Sequence, residues 1–96
     1  MSMKTYRWAE HQFPDAIILQ KEGCFFEAHH RSAKALGQYM DYVVYKDPTG
    51  NDMAGGPDIN RICNVLERYN VSYIILENER VTYGFQGLNP FEHTVL

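Results

Sequence analysis

Ala16-Ile17-Ile18-Leu19-Gln20-Lys21-Glu22-Gly23-Cys24-Phe25-Phe26-Glu27-Ala28 is the stretch on which the fold turns. Ala16 to Leu19 is a short apolar run, read as a buried strand that continues to about Lys21. Gly23 permits a sharp bend, so Cys24 to Ala28 is expected to pair back as the second strand of a hairpin. Alternate residues of a strand share a face. Phe25 and Glu27 therefore lie on one side, and Phe26 and Ala28 on the other. A core strand would set its charge opposite its aromatics; here one Phe is forced onto the face that carries the Glu. An exposed ring beside a hydrogen-bonding group is suited to stacking on a nucleobase and testing its edge.

Outward from this hairpin the chain alternates between two periodicities. Met3, Tyr6, Ala9 and Phe13 recur at helical spacing, with Ser2 as a cap and Pro14 as the stop. His29 to Met40 predicts a helix with Ala33, Leu36 and Met40 along one stripe, and Tyr42 to Tyr45 predicts a third strand. Lys46 to Pro57 holds two Pro, three Gly and Asn51 and reads as a loop. Asp58 is the expected N-cap of the clearest helix, in which Ile59, Ile62, Leu66 and Tyr69 repeat at three and four residues. Val71 to Glu77 and Arg80 to Phe85 read as strands joined by the tight turn Asn78-Glu79. The expected architecture is α/β: one domain over residues 1–96, with a mixed sheet of about five strands flanked by three helices. Strands separated by a helix are expected to run parallel.

Composition narrows the function. The chain has 96 residues, enough for one core. Nine basic against twelve acidic side chains give a formal charge of −3, so there is no general attraction to nucleic acid or anionic membrane. The acidic excess falls in 47–60, with Asp47, Asp52 and Asp58 and no base. Residues 20–46 carry Lys21, Arg31, Lys34 and Lys46 against Glu22, Glu27 and Asp41, and so are the least repulsive segment for a phosphate. Cys24 and Cys63 match no metal or redox spacing. His29 and His30 are adjacent, and His11 and His93 lack companion ligands, so neither a metal nor any other cofactor is expected. No apolar run has the length of a signal peptide core or a membrane span, and a cytoplasmic location with reduced thiols is the expectation.

Four groups of residues, in order, carry a resemblance: Phe13-Pro14-Asp15 before an apolar strand, Lys21-Glu22-Gly23-Cys24-Phe25-Phe26-Glu27, Ser32-Ala33-Lys34, and Met53-Ala54-Gly55-Gly56-Pro57. Together they resemble the N-terminal mismatch-recognition domain of the DNA mismatch-repair protein MutS, over roughly residues 13–77. The family's corresponding patterns are H-P-D, R-M-G-D-F-Y-E, D-A-K and M-A-G-x-P. The resemblance implies that Phe25 wedges into the duplex from the minor groove and stacks on a mispaired base, and that Glu27 hydrogen-bonds that base. Cys24 replaces the family's Asp, and Phe26 its Tyr. The sequence stops where MutS continues into its connector, lever, clamp and ATPase domains, with an added strand at 80–85 and a tail in the 78–96 segment. The expectation is thus a stand-alone, non-catalytic accessory module that contacts mismatched or distorted duplex DNA through Phe25 and Glu27, with Lys21, Arg31 and Lys34 as phosphate contacts.

Other chemistries are less well supplied. There is no G-x-x-x-x-G-K-[ST] phosphate loop in the chain. Pro14-Asp15 before a strand resembles the start of a metal-dependent nuclease pattern, but the strand reads Leu19-Gln20-Lys21 where a [DE]-x-K triplet is needed. Met53 to Pro57 reads as structural, its glycines permitting close backbone approach. Tyr39, Tyr42 and Tyr45 read as packing residues. The alternative to DNA contact is a protein-interaction or self-association module that uses the hairpin edge or the aromatic surface.

Overall fold

A computed structural model describes residues 3–92. Ser2 and His93 lie outside the described residues. The chain runs α1 (Lys4–Gln12), β1 (Ile17–Glu22), β2 (Phe25–His29), α2 (Arg31–Met40), β3 (Tyr45–Lys46), β4 (Asp52–Gly56), α3 (Ile59–Arg68), β5 (Tyr73–Glu77) and β6 (Arg80–Phe85). The six strands form one mixed sheet in the order β3-β4-β2-β1-β5-β6. Only the β1–β5 strand pair is parallel; β1–β2, β2–β4, β3–β4 and β5–β6 are antiparallel. The parallel arrangement expected of strands separated by a helix therefore holds for β1–β5 but not for β2–β4, because the β3–β4 hairpin reverses the chain after α2.

Both hairpins follow from their turn chemistry. Gly23 takes φ +63° between β1 and β2. Asn78 and Glu79 both take positive φ, the geometry that matches a two-residue loop to the twist of its strands. Alternation along β1 then divides the core. Ile17 and Leu19 join Phe26, Ala28, Leu36, Ile62, Leu66, Tyr73 and Ile75 under α2 and α3, while Ile18 joins Tyr6, Ala9, Ile74 and Leu76 under α1. The Asp58 carboxylate caps α3 by accepting the Arg61 N–H at 3.1 Å. No helix among the described residues is long and apolar enough to cross a membrane.

Beyond shifts of one or two residues at strand ends, three assignments differ from the sequence reading. Residues 52–56 form β4 instead of part of a loop, which brings the strand number to six. The strand expected at Tyr42 to Tyr45 is confined to Tyr45 and Lys46. His29 belongs to β2, and α2 starts at Arg31 because His30 turns the chain with φ +58° and ψ −137°, a region costly for a side-chain-bearing residue. The His30 N–H is satisfied by the Asp52 carbonyl at 3.0 Å, and its Nδ1 lies 2.9 Å from Glu10 Oε2.

Candidate nucleic-acid interface

The site grows from the register of the first hairpin. Glu22 stands opposite Phe25 and Gln20 opposite Glu27, while Lys21 stands opposite Phe26. Directly paired residues of an antiparallel ladder share a face. Gln20, Glu22, Phe25, Glu27 and His29 therefore occupy the α1 face, and Lys21, Phe26 and Ala28 the α2/α3 face. The burial of β2 follows this alternation: Phe25 is 46% exposed, Phe26 is 8% exposed and Ala28 is fully buried. Phe25 sits immediately after the turn, so its ring is at the hairpin tip.

Glu27 is half-buried, and its second cross-strand neighbour is Gly55 of β4. A glycine there leaves one flank of the carboxylate without a covering side chain. It also meets a backbone constraint, since a Cβ at Gly55 would lie 2.4 Å from the Phe26 carbonyl oxygen. The Glu27 carboxyl is held above the usual carboxylate range, mainly by burial and secondarily by the charge of Glu22. Gln20 is buried, with its Nε2 3.5 Å from Glu22 Oε2.

Beneath Glu27 lies His29. Its Nε2 is 3.7 Å from Glu27 Oε1, and its Nδ1 is buried without a hydrogen-bond partner. Burial and the neighbouring His30 hold the imidazole below its ordinary range, against the smaller opposing effects of Asp47, Glu10 and Glu22. The distance alone would admit an ion pair, but burial and the neighbouring His30 both oppose a charge on the ring. Tyr6 closes the layer below, its ring edge-on to His29 at 5.1 Å between centroids.

The cations do not gather at this face. Lys21 points to the other side and lies 3.7 Å from Glu77. Arg31 donates to the Pro14 carbonyl and covers the Phe91 ring at 4.0 Å. Lys34 lies 3.7 Å from Asp52, which Lys46 also contacts at 2.7 Å. Phe25 and Glu27 are thus brought together, while Lys21, Arg31 and Lys34 are each occupied elsewhere. Sequence reasoning missed Gln20, Glu22 and His29 as neighbours of the pair. The period-two alternation through β2 would have found His29 had the strand been carried one residue further.

Other groups are separate from this face. Tyr39 packs on Tyr69 at 5.1 Å, and Tyr42 packs against Gly56, where a Cβ would lie 2.7 Å from its hydroxyl. Tyr45 is 51% exposed on the short edge strand. Cys24 is exposed, and burial pushes the Cys63 thiol up. Among the described residues no group of three or more His, Cys, Asp or Glu is arranged to hold a metal ion. A cleft of about 530 Å³ lined by Phe13, Asp15, Ile74, Phe85 and Asn89 lies at the opposite end of β1 from Phe25.

No family model matches the chain, and no curated protein matches it in sequence.

Proposed function

We propose that this domain is a non-catalytic accessory module that contacts mismatched or otherwise distorted duplex DNA, with Phe25 as the wedge and Glu27 as the group that tests the exposed base. The observation that carries the reading is a half-exposed ring at a hairpin tip with a carboxyl two residues along on the same face. Opening a base step costs a few kcal/mol and costs less at a mismatch, while stacking on an aromatic ring returns about 1–3 kcal/mol. Deformability then discriminates without sequence readout. A Glu27 carboxyl already held above its ordinary range, and facing further desolvation against a base, favours its protonated, donating form.

Lys21, Arg31 and Lys34 are the proposed phosphate contacts, and each must exchange Glu77, Pro14 or Asp52 for the backbone of the duplex. Few phosphates are then neutralised, so affinity is low and its salt dependence shallow. The test is a fluorescence titration of matched and mismatched duplexes at low salt. Tighter binding of the mismatch, lost in Phe25→Ala, supports the reading; binding of neither duplex removes it.

A specific observation favours a second reading, a protein-interaction or self-association module. Phe25 stands beside Glu22 and Glu27 on a face whose carboxyls would repel a phosphate backbone. The β6 edge is also exposed along nearly its whole length. A stable dimer in solution, with Phe25 protected from solvent, would select this reading.

A further inference from the structure

Glu27 needs a support that orients its carboxyl without neutralising it, and the residue beneath it has that chemistry. His29 Nε2 faces Glu27 Oε1 at 3.7 Å, and Nδ1 is buried with no partner. The Glu27 carboxylate facing Nε2 can only accept, so it favours a proton there; a proton on Nδ1 would be a buried donor left unsatisfied, and in the neutral ring it would also set the Nε2 lone pair against the carboxylate. This asymmetry selects one form of the ring: neutral, with the proton on Nε2 and directed at Glu27. The main chain at His29 is fixed, because its N–H donates to the Tyr6 hydroxyl at 2.7 Å and that hydroxyl lies 3.2 Å from its carbonyl, and the Tyr6 ring packs edge-on against the imidazole.

We propose that His29 is a positioning residue for Glu27: a neutral imidazole that directs Nε2–H at the carboxyl, orients it toward the open face, and leaves it free to take up a proton when a base arrives. The proposal deepens the DNA-contact reading and rests on it for the identity of the ligand, but the state of the ring is a property of the free protein. A cationic residue at this position would lock Glu27 as a carboxylate that can only accept. An apolar one would leave it without a polar neighbour on that side.

The charged and titratable groups that bear on His29 are Tyr6 and Glu10 on α1, Glu22 on β1, Glu27 on β2, His30 before α2, and Asp47 in the loop between β3 and β4. Burial and His30 oppose a charge on the ring, and the three distant carboxylates favour one. Tyr6 stays neutral, its phenol pushed far up by burial.

Two measurements on the full chain test this separately from DNA binding. Imidazole ¹⁵N shifts of the wild type are expected to report a neutral Nε2–H ring at pH 7. The Glu27 side-chain carboxyl ¹³C titration is expected to move upward in His29→Phe, by about half a unit or more. It should stay near the wild-type midpoint in His29→Gln, which keeps an N–H donor and cannot charge. The mismatch-binding pH profile should move with the Glu27 midpoint in both variants. A ring protonated at pH 7, or a Glu27 midpoint unchanged in His29→Phe, overturns the proposal. If His29→Phe does not fold, the wild-type ¹⁵N state and the His29→Gln titration decide. Failure of DNA binding with the neutral ring intact removes the DNA reading and leaves the His29–Glu27 relationship standing.

Discussion

The Tyr6 hydroxyl is inserted between β1 and β2, where it accepts the His29 N–H at 2.7 Å and donates to the Ile18 carbonyl at 2.9 Å. The β1–β2 ladder ends at Gln20 and Glu27, and continuing its register would set Ile18 against His29. The strands have instead splayed, and side chains from two helices satisfy the groups left open. Ser32 Oγ accepts the Ile18 N–H at 3.0 Å. One phenol thus anchors α1 and shapes the floor beneath Glu27.

Tyr6→Phe should therefore leave the His29 N–H and the Ile18 carbonyl unsatisfied in a buried position. The expected cost is about 2–4 kcal/mol, from two buried backbone groups at about 1–3 kcal/mol each with partial relief by relaxation. Urea unfolding checks it, with a lower midpoint and an unchanged slope. The same variant should disturb the Glu27 and His29 resonances more than those of β5 and β6.

Phe25 and Phe26 are adjacent and opposite in consequence. Phe26→Ala removes a ring from the core under α2 and should cost about 3–5 kcal/mol. Phe25→Ala truncates a half-exposed ring at the hairpin tip and should cost less than about 1 kcal/mol. Thermal unfolding of the two variants side by side measures the difference. Equal losses would mean that both faces of β2 are buried.

The pH dependence has a sign at each of two residues. Glu27 titrates above its unfolded value, so its contribution is fully present below that value and is lost as pH rises through the folded one. Glu27→Gln should then be more stable than wild type at pH 7, with the difference shrinking as pH falls into the ordinary carboxylate range. His29 titrates below its unfolded value, so stability is lost as pH falls from the ordinary imidazole range toward the folded value. His29→Gln should flatten that slope. Denaturant midpoints between pH 4 and about pH 8 read both effects.

Gly55→Ala should be destabilising by about 1–3 kcal/mol, because its Cβ would press on the Phe26 carbonyl oxygen from 2.4 Å and the obstacle is backbone. For a domain of this size each kcal/mol lowers Tm by about 4–8 °C, which a thermal melt resolves.

Much of the fold was legible because its signals are local. Gly23 and Asn78-Glu79 mark their hairpins, and α3 announces itself through Asp58 and the Ile59-Ile62-Leu66 stripe. β4 was not legible. Asp52-Met53-Ala54-Gly55-Gly56 has no β-branched residue and two glycines, so local preference argues against a strand. It is a strand because the outer edge of β2 needs a partner and Gly55 and Gly56 can approach it closely. The start of α2 was displaced because a positive φ at a histidine has no clear sequence signal.

The pairing of Phe25 with Glu27 on one face was readable from alternation alone. The fate of the cations was not, because charge counted along a segment ignores faces: Lys21 and Glu22 are neighbours in sequence and project to opposite sides of the sheet. Glu77 and Asp52, which occupy Lys21 and Lys34, come from strands far along the chain.

The proposed DNA contact stands or falls with the insertion of Phe25 at a distorted base step. The most direct measurement is the fluorescence of 2-aminopurine placed beside a single mismatch, titrated at low salt with wild type and with Phe25→Ala. A saturable intensity change is expected with the wild type as the ring replaces the neighbouring base in the stack. The change should be weaker on the matched duplex and absent with Phe25→Ala, while that variant keeps its fold. An identical response from Phe25→Ala, or no response from the wild type on any duplex, would contradict it.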